Sequence, residues 1–262
     1  ALFSGEEVRD AAFDNSSRPA LLLRDALVAA CRATPIVTRP AALGADGVTV
    51  EVPEHDVDLT AACYVLATWD GRYDLDRAGP MLWRETMSQF STTELVSTGP
   101  LFADEFDPAN PTVSPSTPNP DQTPLLDALA AAVDTIAAAG FAVDSTLGAA
   151  QFTERSGERI PLHGGDDLDG TTNIVAWYPM SSSSEPGATR GEPVAAGSQL
   201  RADGYPINFG TSFVLTVDYT GDTVRAWALL TYGETGDPES PEYSAQTVRF
   251  SAKDWRTVLY TE

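Results

Sequence analysis

Histidine and cysteine are scarce in this chain, which has two of each among 262 residues. A zinc site of standard ligand count has too few donors, and neither a metal nor a cofactor is expected. Basic residues are also few, 16 Lys and Arg against 38 Asp and Glu, for a net charge of −22. Phosphate backbones and anionic lipid would be repelled, which sets aside nucleic acid and membrane surfaces as partners. The acids are dispersed rather than gathered into a tail, as on a solvated surface that favours solubility. No apolar run reaches the ~18 residues that a membrane span requires. The chain opens at Ala1 with neither a methionine nor a signal-peptide pattern. It is therefore expected to begin after processing or inside a longer precursor. A Gly-x-Ser-x-Gly elbow, a phosphate loop and a dinucleotide fingerprint are all missing.

What remains is an ordinary globular composition, 42% hydrophobic and 21% charged, enough for one large domain or two small ones. The first half, residues 1–150, reads as helical. Ser4 and Glu7 have capping-box spacing and open a short helix ending near Asn15. Pro19 suits a first helical turn, and Leu22, Leu23, Ala26, Leu27, Ala30 and Cys31 follow with helical period. A third helix carries Leu59, Ala62, Cys63, Leu66 and Ala67 and stops at Gly71; a fourth runs from about Ala78 to Phe90. Between Gly99 and Pro124 seven prolines predict an extended loop lying across another surface. A helix from Pro124 to Ala139 follows, with Leu125, Leu126, Leu129, Val133 and Ile136 facing inward and Gly140 ending it.

In residues 151–262 the period changes to two. Phe152–Arg155 and Arg159–Leu162 flank Ser156-Gly157 as a hairpin, and Thr171–Tyr178 reads as a further strand before the Ser181–Ser184 run. The clearest signal is Phe213–Tyr219, a turn at Thr220–Asp222, then Val224–Leu230, a long half-buried antiparallel hairpin. Helices first and strands later predict an α+β fold rather than alternating α/β.

Few residues suggest chemistry. Asp166, Asp167, Asp169 and Gly170 resemble part of a calcium loop, but a twelve-residue register would put Gly165 first and Ala176 last, neither of which offers a side-chain oxygen. His55 and His163 read as surface or hydrogen-bonded histidines more readily than as general bases. Cys31 and Cys63, both on apolar helix faces, are either two buried thiols or one disulfide closing about 32 residues, the latter worth roughly 3–4 kcal/mol.

Three segments together resemble the penicillin acylase family of N-terminal-nucleophile hydrolases, nearest its acyl-homoserine-lactone and aculeacin-type acylase branch. The first is Asp10 to Ser16 (DAAFDNS) with Ala61 to Gly71 (AACYVLATWDG). The second is Arg159 to Gly165 (RIPLHGG), continuing to Gly170, Thr171, Thr172 and Asn173. The third is Tyr232 to Tyr243 (YGETGDPESPEY), then Gln246, Phe250, Ser251, Trp255 and Arg256. Glu234, Thr235 and Glu242 stand where the family's pattern usually has glutamine, serine and histidine, which touches local contacts of that loop.

The resemblance implies a precursor that cleaves itself into a small and a large subunit. The large subunit's new N-terminal serine is the nucleophile, and its own α-amino group, titrating near neutrality, is the base. Ala1 has no hydroxyl or thiol and by motif falls well inside the large subunit, so no catalytic residue is carried over. The chain is thus expected to be the C-terminal part of that subunit, contributing helices and antiparallel strands to an αββα sandwich. Its partners would be the small subunit and the N-terminal part of the large one, and its substrate a small acyl amide. His163 and Asn173 are the polar residues placed nearest the substrate cleft, with a structural role in a strand turn as the stronger reading. The family is usually exported, which favours a Cys31–Cys63 disulfide and a secreted or periplasmic location. The rival readings are a non-catalytic binding or assembly module, and an acylase relative without activity. Exposure of Trp69, Trp83 or Trp177 along a groove would favour the binding module.

Overall fold

Ser4 forms the expected capping box with Glu7 and starts α1 (Gly5–Ala11). The computed structural model describes residues 3–44, 46, 48–177, 191–219 and 223–258. Ser17 caps α2 (Arg18–Ala33) by accepting a hydrogen bond from the Ala20 amide, and Pro19 sits in its first turn. Ala20, Leu23, Leu27 and Cys31 recur at three- and four-residue spacing and form its buried stripe.

The next stretch departs from the helical reading of residues 1–150. β1 (Ile36–Arg39), β2 (Ala42–Leu43), β3 (Val50–Val52) and β4 (His55–Asp58) form two antiparallel ribbons, β1 with β4 and β2 with β3. Val37 and Val57 face each other on the buried side of the first ribbon. The β-branched Ile36, Val37, Thr38, Val50, Val52 and Val57 fit a pleated surface better than a helix.

α3 (Thr60–Thr68) lies on α2, and a disulfide joins Cys31 to Cys63 with their Cα atoms 5.9 Å apart. Of the two states left open for these cysteines, the bonded one is observed. Alkylation after non-reducing denaturation should label neither thiol. Reduction should lower stability by about 3–4 kcal/mol for a loop of this length, measured as a shift in the denaturation midpoint; labelling of both thiols without reductant would contradict the bridge.

α4 (Gly79–Met87) is buried on every side, charged Arg84 and Glu85 included, and packs against α3 and the long α5 (Thr123–Ala138). Between them, the proline-rich stretch from Gly99 to Pro124 is not extended. It doubles back on itself, with Ala103 N–H bonded to Thr117 O and Asn119 N–H to Leu101 O, both at 2.9 Å. The Asp104 carboxylate accepts the Ser116 and Thr117 amides, and Leu101 and Phe102 enter the helical core. Leu101 and Phe102 thus anchor the start of the loop in the chain's own core, while residues 108–113 are exposed. Gly140, at φ +82°, ends α5, and Phe141 N–H reaches back to Ile136 O.

α6 (Leu147–Ala150) leads into β5 (Gln151–Arg155) and β6 (Glu158–Pro161), the expected hairpin, whose Ser156 and Gly157 both have positive φ as a two-residue turn requires. Only β7 (Val175–Ala176) of the anticipated 171–178 strand is strand; Tyr178 and the Ser181–Ser184 run lie outside the described residues. Thr171 Oγ donates to Asn173 O and accepts the Gly165 amide, which bends residues 171–173 into a turn. β8 (Tyr205–Pro206) pairs parallel to β5, one departure from an all-antiparallel second half, and β9 (Phe209–Gly210) pairs with β7. β10 (Phe213–Asp218) and β11 (Arg225–Leu230) form the long antiparallel pair, their turn at Thr220–Asp222 lying outside the described residues. α7 (Ala245–Ser251) and β12 (Arg256–Val258) follow, β12 pairing with β11.

The outcome is mixed helix and strand, the α+β class the periodicities predict. One core cluster draws on both halves, from Phe13, Leu27 and Trp83 to Leu162, Tyr205, Leu229 and Phe250.

Candidate functional site

Two linked polar clusters lie inside this core, and the first gathers Asn15, His163, Asn173 and Phe250 from the resemblance-bearing segments. In the first, His163 is 1% exposed, its ring stacked on Phe250 and edge-on to Phe13. Its Nε2 lies 2.9 Å from Phe250 O; a carbonyl only accepts, so Nε2 carries the proton. Nδ1 then accepts from the side-chain amides of Asn15 and Asn173, each at 3.1 Å. Asn173 also donates to His163 O, and the chain packs so closely here that a Cβ on Gly164, at φ +105°, would lie 2.5 Å from the Asn173 amide nitrogen. Asn15 donates onward to Asp74 (2.6 Å), which accepts from Lys253 Nζ (2.6 Å), and that ammonium also donates to Phe13 O. Burial pushes the Asp74 carboxyl up, but hydrogen bonds from Lys253 and Asn15 outweigh it and hold the group below its usual range.

In the second cluster Arg84 Nε donates to Asp169 (2.8 Å) and its Nη1 to Gln151 (2.7 Å), while Tyr73 OH donates to Asp169 at 2.5 Å. The guanidinium lies between the rings of Tyr73 and Tyr205. Gln151 in turn donates to Leu162 O and Gly164 O, which ties this cluster to the His163 loop. The calcium-like residues are committed here: Asp169 faces Arg84, and Asp166 accepts the Leu168 and Asp169 amides. Among the described residues no group of three or more His, Cys, Asp or Glu is placed to hold a metal ion.

His163 and Asn173 are therefore brought together in the interior, where the imidazole bonds to the Asn15 and Asn173 amides and the Phe250 carbonyl rather than to a hydroxyl or thiol. The arrangement fastens the α1–α2 turn, the α3–α4 connection, the 163–173 loop and the end of α7 to one another. His55 contacts Pro53 O and Asp134 and is not part of the cluster. Arg84, Gln151, Asp74 and Lys253 escaped sequence reading. Their one available signal was a charged pair, Arg84-Glu85, inside an otherwise apolar helix.

The two clusters oppose each other with pH. Burial lowers His163 from 6.5 to about 4. Its neutral form is the stable one, so this contribution is complete above pH 6.5 and about 3 kcal/mol is lost as pH falls to 4. Burial and the neighbouring Asp169 charge raise Asp166 from 3.8 to about 6. That contribution is complete below pH 3.8 and lost as pH rises through 6. The slopes largely cancel between pH 4 and 6. Asp166→Asn should remove one of them, leaving a melting temperature that falls steadily below pH 6.5; a profile unchanged from wild type would contradict this assignment.

The sequence model of the penicillin amidase family matches residues 1–262. Aculeacin-A acylase from Actinoplanes utahensis is 33% identical over 258 residues, covering 95% of this chain and 27% of that protein. Acyl-homoserine lactone acylase PvdQ is 30% identical in Pseudomonas savastanoi pv. phaseolicola, over 81% of this chain and 25% of that protein. The Pseudomonas syringae pv. syringae protein of the same name is also 30% identical over 81% of the chain. The chain spans about a quarter of the length of the curated relatives it matches. With a family match over every residue, and with the motif residues Asn15, His163, Gly164 and Asn173 folded into one interlocked cluster, the chain belongs to the penicillin amidase family.

Proposed function

We propose that this chain is the C-terminal part of the large subunit of an acylase that hydrolyses the linear amide between an acyl group and an amine-bearing nucleus. Homoserine lactones, penicillins and lipopeptides are the substrates in view. The observation that carries the reading is the use to which the motif residues are put. They are spent on holding segments together, His163 with both ring nitrogens engaged, as expected of a scaffold. Of the three tryptophans whose exposure would favour a binding module, Trp69 and Trp83 are 4% and 0% exposed and Trp177 is half-buried, which supports the scaffold reading.

In this reading the nucleophile is an N-terminal serine outside these 262 residues. Its hydroxyl attacks the amide carbonyl, its α-amino group takes the proton and delivers it to the departing amine, and water then releases the acid. The strands of the second half contribute to the αββα sandwich that carries it. His163 and Asn173 support the cleft from beneath as positioning residues. The disulfide fits export to an oxidising compartment.

The test is release of free amine by the full-length processed protein from an acyl-homoserine lactone, penicillin V and an acylated lipopeptide. Turnover of at least one is expected. Replacing the N-terminal serine with alanine should abolish it, and His163→Asn should mainly lower the melting temperature. Failure on all three substrates by a correctly processed protein would count against the acylase reading.

A further inference from the structure

The β10–β11–β12 sheet is covered on one face. Thr216 and Asp218 point inward, toward α1, which packs on β10 and β11. The opposite face is the more apolar one and it is open, with Phe213 56% and Leu215 48% exposed. Register sets Leu230 beside Phe213 and Ala228 beside Leu215, and with Val258 they wall a groove of about 550 Å³.

A second feature of this groove points to an occupant. Gln246, 4% exposed, lines it. Its Nε2 donates to Glu234 (2.9 Å), and Glu234 is held in turn by Arg256 (2.7 Å), which fixes the side-chain amide. Its Oε1 is buried and has no hydrogen-bond donor among the described residues. A buried amide oxygen without a donor is costly, so the complete molecule is expected to supply one. An uncovered sheet face of this kind is likewise unfavourable in water. One occupant removes both costs: a segment with apolar side chains and a single N–H or O–H donor. The chain spans about a quarter of its relatives' length, so most of a polypeptide of that size lies beyond these residues to provide it.

We infer that the groove seats an apolar segment of the same precursor from outside residues 1–262, with one backbone N–H or hydroxyl of that segment bonded to Gln246 Oε1. The inference rests on the reading of the chain as one part of a processed acylase.

A photo-reactive benzoylphenylalanine at Leu215 of the full-length processed protein tests it, with the same probe at Tyr64, 70% exposed on α3, as a control. The Leu215 probe should cross-link to one contiguous peptide outside residues 1–262, at least ten-fold more than the Tyr64 probe does. In the same protein Gln246→Leu, which removes the acceptor, should weaken the Leu215 cross-link to that peptide. Intact assembly with Leu215 cross-links confined to residues 1–262, to a second copy or to solvent would overturn the inference and leave the acylase reading standing. A protein in which no other chain co-purifies would overturn both.

Discussion

Replacing Arg84 with methionine is expected to lower stability by about 3–5 kcal/mol, enough to unfold a domain of ordinary stability. Arg84 is 6% exposed and sits in α4, whose every residue is buried. Burial by itself would push its pKa down, but Asp169 and Asp166 hold it well above the ordinary value. Removing it leaves Asp169, fully buried, with hydrogen bonds from Tyr73 OH and the Asp166 amide but no countercharge. It also strips Gln151 of a donor in the link to the His163 loop. A second change, Asp169→Asn in the same protein, removes the stranded charge and should recover part of the loss, since Tyr73 keeps an acceptor. Arg84→Lys should recover less than half, because a single ammonium cannot serve Asp169 and Gln151 in the geometry of a planar fork. Urea midpoints of the four proteins decide it. A loss below about 1 kcal/mol for Arg84→Met would mean that the pair is effectively solvated.

How far the sequence could foresee this depends on the range of the forces involved. Signals that act within a few residues were legible: the Ser4–Glu7 capping box, the first-turn Pro19, Gly140 at the end of α5 and the Ser156-Gly157 turn all stand where local backbone chemistry puts them. The strands at residues 36–58 were not, because two short ribbons of two to four residues per strand carry too little alternation to register as a period. Along β10 the alternation was correct and the choice of face was not evident. The buried side holds Thr216 and Asp218, the latter paired with Arg225, and the apolar side is open. A chain that folds against further polypeptide can place its apolar face outward, and composition cannot reveal that. The clusters around His163 and Arg84 join residues up to 240 positions apart, as Lys253 and Phe13 are. Family resemblance pointed to Asn15, His163 and Asn173; only the fold could add Arg84 and Asp74.

Complete loss of amide hydrolysis is expected when the 262 residues are expressed alone. Catalysis by an N-terminal nucleophile needs a hydroxyl or thiol with a free α-amine on the same residue, and the interior imidazole available here is neutral and fully engaged. The isolated chain should also bind an apolar dye through Phe213 and Leu215, despite its charge of −22, and lose that binding on assembly. An isolated chain that turns over acyl-homoserine lactone or penicillin V at the rate of the assembled protein would overturn the scaffold reading and return the search to its own serines.

The most direct test of that reading is to trap the acyl-enzyme. The assembled, processed protein is quenched in acid during turnover of a slowly deacylated substrate, digested, and the peptide carrying the acyl mass is identified. The prediction is a single adduct on the N-terminal residue of a chain segment outside these 262 residues. An adduct on any serine, threonine, cysteine or lysine within them would contradict it.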